Sequence, residues 1–258
     1  MPEPAPITDP ANLMPGLVRG IGASERTPRW RPGLAIGCAQ SEMFASAREA
    51  SGAGLALALA QDALRMATPD PAADTPDHRP FLWVQDKAAL RLSGRPYLPG
   101  LPAELRHRLI HVAATTPEDA LFALEEGLRC RDLAFVIGEI AGNPRALDFT
   151  ASRRLGLAAE KHGVPLWLIR LDARQDLGAA RMRWRVEAAP SPPPRWNAHA
   201  PGATTWAAEL FRAHTYQPGK WILRDDGLAL VAQPYANASP PDHGDLVHGA
   251  GDRSLAAF

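Results

Sequence analysis

With 258 residues, 46% of them hydrophobic and 22% charged, the chain has the composition of a folded protein with room for one sizeable core, which excludes a disordered polypeptide. Twenty-eight basic side chains balance twenty-eight acidic ones, so no global positive field recruits nucleic acid or an anionic membrane. The two cysteines, Cys38 and Cys130, lie far apart with no partner motif, which excludes a disulfide scaffold and a Cys-rich zinc site.

Residues 1–33, rich in Pro, Gly and Arg, read as an extended N-terminal arm; one domain is expected over 34–232, and 233–258 read as a disordered tail. The N-terminus, Met1 to Pro6, lacks the basic start and apolar stretch of a signal peptide. The longest apolar run, Gly52 to Ala60, falls well short of the ~18 residues of a membrane span. A soluble protein of the reducing cytoplasm, with no membrane partner, is the expectation.

Within the core, Glu42–Ala45 reads as a short strand, Ser46–Gly54 as a loop and Leu55–Met66 as a helix rich in Leu, Ala, Gln and Met. Phe81–Gln85 is apolar enough for a strand covered on both faces. A short helix is expected over Ala103–Arg108, then a strand over Leu109–Ala113. Thr116-Pro117-Glu118-Asp119 starts the next helix: Thr caps it, Pro suits the first position, and two acids meet the positive end of the dipole. Ala120, Leu121, Leu124 and Leu128 mark its buried face.

Leu133–Ile137 reads as another buried strand, and Asp148 caps a helix that runs to Lys161-His162 and stops at Gly163. Pro165–Leu171 is a further strand. Alternating strands and helices predict right-handed βαβ units and a largely parallel sheet. After Asp172 only strands follow: Met182–Ala188, Trp206–Arg212, and Trp221–Leu223 with Leu228–Val231 flanking the hairpin signal Asp225-Asp226-Gly227. Ser191-Pro192-Pro193-Pro194 makes a stiff connection among them.

The strand–loop–helix at 42–66 stands where a parallel α/β protein carries a phosphate loop, whose chemistry needs two glycines, a Lys and a hydroxyl in fixed register. Here Ala47 replaces the first Gly, Ala53 the Lys and Gly54 the hydroxyl, leaving Gly52 and the helix N-terminus. A charge-assisted hydrogen bond is worth about 1.5–3 kcal/mol, so losing the Lys alone weakens phosphate binding roughly ten- to a hundred-fold. Plain packing of the helix N-terminus is the preferred reading, with no cofactor expected and ATP disfavoured. Glu139, just beyond the apolar strand, stands near the position of a magnesium-binding carboxylate; a solvent-facing or Arg-paired side chain is the competing reading.

Arg181, Arg183 and Arg185 alternate with Met182, Trp184 and Val186, so the arginines share one strand face. They form either a basic ridge for phosphates or an acidic partner, or a charged edge that repels other strands. Replacing all three by Ser is expected to leave folding intact. Gln40–Phe44 has a weak likeness to clamp-docking peptides but reads as core strand, and His107/His111 read as structural histidines with no third metal ligand nearby. No catalytic residue and no metal site is assigned.

Taken together, the phosphate-loop remnant, Phe81–Asp86, Arg129–Leu133, Leu147–Arg154, Val164–Leu171 and Ala179–Val186 resemble ImuA proteins over about residues 30–232. These are RecA-related proteins encoded with ImuB and an error-prone replicative-type polymerase. The resemblance implies a RecA-like α/β core, with C-terminal antiparallel strands read from the residues, and an accessory role in damage-induced (SOS) mutagenesis by translesion synthesis. It implies ImuB-like and RecA partners, with the error-prone polymerase alongside; contact with DNA stays open. The leading expectation is a non-catalytic adaptor. The alternatives are a weak ATPase using Gly52, Gly54 and Glu139, or an inhibitor of recombination or cell division.

Overall fold

The computed structural model describes residues 28–33, 39–67, 77–197, 199–227 and 229–235. Nine strands form one sheet: β1 Gln40–Ala45, β2 Phe81–Gln85, β3 Leu109–Ala113, β4 Val136–Ala141, β5 Leu166–Leu171, β6 Met182–Ala188, β7 Thr205–Ala213, β8 Gly219–Asp225 and β9 Leu230–Pro234. Their order is β3-β2-β4-β5-β1-β6-β7-β8-β9. The first six pair in parallel, and β6 to β9 continue as an antiparallel extension. This is the largely parallel α/β sheet with C-terminal antiparallel strands that the sequence pattern predicts, and it agrees with the RecA-like core that the resemblance implies.

Four helices connect and cover the sheet: α1 Ser51–Ala67, α2 Lys87–Ser93, α3 Pro117–Arg129 and α4 Phe149–His162. The capping chemistry read from sequence is in place. Thr116 Oγ1 accepts from the Asp119 N–H while the Asp119 carboxylate accepts from Thr116, closing a capping box. Asp148 caps α4, and Gly163 ends it at φ 70°, a left-handed turn that glycine adopts at little cost. The predicted face of α3 (Ala120, Leu121, Leu124 and Leu128) is buried against the core between α3, α4 and one sheet face.

The opposite sheet face packs beneath α1. There Trp30, Trp184 and Trp221 meet edge to face or tilted, with ring centroids 4.8–6.0 Å apart. Trp30 belongs to the predicted arm, and its burial pins the described part of that segment to the sheet, where Arg29 bridges Gln217. Among the described residues no helix is long and apolar enough to cross a membrane. Residues 236–258 lie outside the described residues.

Several boundaries differ from the sequence reading. The helix expected over Ala103–Arg108 is a run of turns, and the helix of this region is α2, started by Asp86, whose carboxylate accepts from the Ala89 N–H at 2.6 Å. The fourth strand runs over Val136–Ala141, and the buried Ala134 and Phe135 before it already hydrogen-bond Pro80 and Leu82. Helix α1 begins at Ser51, inside the predicted loop, with Gly54 N–H bonding back to the Ala50 carbonyl. Gly52 and Gly54 serve close approach: a Cβ at Gly52 would stand 2.8 Å from the Ala45 Cβ, and one at Gly54 3.1 Å from the Trp206 ring.

Candidate functional site

The C-terminal ends of parallel strands and the N-terminus of the following helix are where this fold class gathers ligands. A cleft of about 520 Å³ opens there, between the start of α1 and the segment after α2. Ser51, Gly54 and Leu57 of α1 form one wall, Tyr97 and Leu101 another, with Trp206 of β7 and Glu139 of β4 also facing it. Ala53 and Gly54 line this depression together with Glu139, whereas Gly52 does not and packs against Ala45 and Ile169. Ala47 sits in the loop just before them.

Several donors of the loop find acceptors within the protein. Ala47 N–H donates to Asp172 Oδ1 at 3.0 Å, from a residue held at φ 50° directly after β5. Ser51 Oγ donates to Glu49 Oε1 at 2.9 Å, and the same oxygen accepts from the Ala188 N–H at 3.1 Å. Two carboxylates of the protein therefore stand on the Ala47 N–H and the Ser51 hydroxyl of this loop. At the Lys and hydroxyl positions are Ala53 and Gly54, and Trp206 lies directly over the latter. Arg95 lies on the far rim.

Glu139 is buried and already fully engaged. Its Oε1 accepts from Trp83 Nε1 at 2.7 Å, and its Oε2 accepts from Ser93 Oγ at 2.9 Å and Gln85 Nε2 at 3.1 Å. Burial pushes its carboxyl above the usual carboxylate range, against the three hydrogen bonds and with help from the charge of Asp86. Among the described residues no group of three or more His, Cys, Asp or Glu side chains is placed to hold a metal ion. His111 hydrogen-bonds Gln85 Oε1 at 2.9 Å on β3, and burial lowers its pKa.

The three arginines do not form one ridge. Arg183 is buried at 4% exposure, its Nε donating to Glu42 Oε2 at 2.6 Å. Arg170 of β5, at 2% exposure, donates to the other oxygen of Glu42 at 2.8 Å. Only Arg181 and Arg185 reach solvent, paired with Glu160 and Glu209 respectively. The alternation along β6 holds, but the face it defines is covered at Arg183 by Phe44 and Phe211, which stack near its guanidinium. Serine at all three positions would therefore strip buried Glu42 of one of its two arginine partners, contrary to the sequence expectation of intact folding. Gln40–Phe44 lies in the buried strand β1, in line with its reading as core strand.

Sequence reasoning missed the cleft walls Trp83 and Trp206, the self-capping Glu49 and Asp172, and the Glu42 network. For the last a signal was present at Arg170, a single charge inside the otherwise apolar strand Leu166–Leu171, and buried charges occur in pairs.

No protein-family model matches the chain. Protein ImuA from two strains of Caulobacter vibrioides is 34% identical to it over 184 residues, a match spanning 67% of this chain and 71% of the relative. With the sequence segments, the RecA-like strand order and this degree of identity in agreement, the chain belongs to the ImuA family.

Proposed function

We propose that this protein is a non-catalytic RecA-like adaptor of damage-induced mutagenesis, which assists error-prone translesion synthesis by holding an ImuB-like polymerase relative, with RecA and the replicative-type polymerase as further partners. One observation carries the reading: where a phosphate loop sets its Lys and hydroxyl this chain has Ala53 and Gly54, and two donors of that loop, the Ala47 N–H and the Ser51 hydroxyl, are already met by its own Asp172 and Glu49 carboxylates. A phosphate entering there finds the Glu49 carboxylate beside the loop and no Lys on it, with Arg95 the cation across the cleft, which weakens both binding and charge stabilisation in transfer. The RecA-like scaffold then serves to present surfaces to other proteins.

Two measurements test this. A ligand at a hundred times its dissociation constant stabilises a fold by about 2.7 kcal/mol, so thermal unfolding with millimolar ATP and magnesium reads nucleotide binding directly. No shift is expected; a clear upward shift, with nucleotide hydrolysis, would turn the reading to the weak ATPase. Deleting the gene is expected to abolish damage-induced mutation, and a deletion strain with a normal induced rate would refute the adaptor role.

A further inference from the structure

On the sheet face opposite α1, a groove of about 560 Å³ runs between the outer side of α4 and the ends of β6 and β7. Phe149, Arg153 and Leu157 recur every four residues along α4, on the side away from its buried Ala151, Leu155 and Ala159. The two apolar members are half exposed, at 50% and 55%. Across the groove stand Arg181, Arg212 and His214, brought together because His214 N–H bonds the Arg181 carbonyl as β7 closes on β6. The single carboxylate lining it, Glu160, is bound to Arg181 at 2.6 Å. In a chain of zero net charge, positive charge is thus concentrated around two exposed apolar side chains.

We propose that this groove docks an acidic peptide segment of a partner protein, with one or two large apolar side chains seated on Phe149 and Leu157 and its carboxylates facing Arg153 and Arg212. Apolar anchors ringed by arginine are the composition of a protein-binding patch, and arginine forks pair carboxylates with two hydrogen bonds. A single-stranded nucleic acid fits less well, because it needs a succession of aromatic faces and the groove offers one ring beside an aliphatic side chain. The proposal deepens the adaptor reading by naming the chemistry of a partner, and Arg181 takes part in it as a rim residue and not as part of a ridge with Arg185.

The test is selection of a random peptide library displayed on phage against the full chain, followed by fluorescence anisotropy with the enriched peptides. Peptides rich in Asp and Glu around a Leu or Phe are expected. The double variant R153E/R212E should weaken them at least about tenfold, and F149S/L157S should weaken them by a similar factor, both with an unchanged thermal midpoint because these side chains reach solvent. Selection with no acidic preference, binding that survives both variants, or an oligo(dT) strand or a second copy of the chain bound with the same residue dependence would each overturn the proposal. Because the selection is done on the purified protein, its failure is distinct from that of the adaptor role, which the mutation rate of the deletion strain reads.

Discussion

Replacing Glu42 by Gln isolates the largest electrostatic commitment in the fold. The carboxylate is 2% exposed and joins Arg170 and Arg183, themselves 2% and 4% exposed, through bonds of 2.8 and 2.6 Å. Gln keeps the volume and removes the charge, leaving two guanidiniums buried, Arg170 against Phe44 and Arg183 against Phe44 and Phe211. Removing one partner of a buried ion pair costs about 3–5 kcal/mol. Asp176 offsets a part, since it stands 3.6 and 3.8 Å from the two arginines, but at 39% exposure its charge is screened. A loss near the lower limit, about 3 kcal/mol, is therefore expected, which for a chain of this size lowers the thermal midpoint by about 6–12 °C. Urea denaturation followed by circular dichroism measures it. A loss under about 1 kcal/mol would show that both guanidiniums reach water, and the buried network would be disproved. The complementary triple replacement E42L/R170M/R183M, which removes every charge at once, is expected to come within about 2 kcal/mol of the parent.

Arg183→Ser should destabilise the protein by about 3 kcal/mol or more, whereas Arg185→Ser, on the same strand and exposed, should stay within about 0.5 kcal/mol; equal losses in urea titrations would contradict the split between a buried and a surface arginine. Gly52→Ala is expected to cost about 1–3 kcal/mol, because its Cβ would stand 2.8 Å from the Ala45 Cβ and 3.0 Å from Ile169 Cγ2, and the first of these is fixed to backbone; an unchanged melting temperature would show that α1 can lift off the sheet freely. The raised pKa of Glu139 means that its protonated form is favoured in the folded state. Its stabilising contribution is present below the ordinary carboxylate range and is lost as pH rises through the higher folded value. Stability curves measured across that window should lose this dependence in Glu139→Gln, and a variant with the parent's pH profile would exclude Glu139 as its source.

Local chemistry was legible along the chain wherever one residue does one job. The Thr116 cap, the Asp148 cap, the Gly163 stop and the apolar face of α3 are each decided by neighbours within a turn, so reading them needed no tertiary information. The parallel order of the core followed from alternating strands and helices for the same reason, since a βαβ crossover has one favoured hand. The start of α1 was not legible, because Gly52 and Gly54 look like loop residues until the closeness of Ala45 and Trp206 shows why a Cβ is excluded there. Helix α2 was missed although Asp86 carries its cap, because a seven-residue helix has too short a period to stand out.

Where charge is concerned, the sequence alone settled the deficit at the phosphate loop: Ala53 replaces a Lys, and no folding restores an absent side chain. Only the tertiary structure decided which charges meet. Strands β1, β5 and β6 are far apart in the chain yet adjacent in the sheet, and their register places Glu42 beside Arg183 and within reach of Arg170. Three arginines at alternate positions along one strand thereby acquire different fates, because burial depends on what the rest of the chain lays over each of them, and alternation fixes only which way they point.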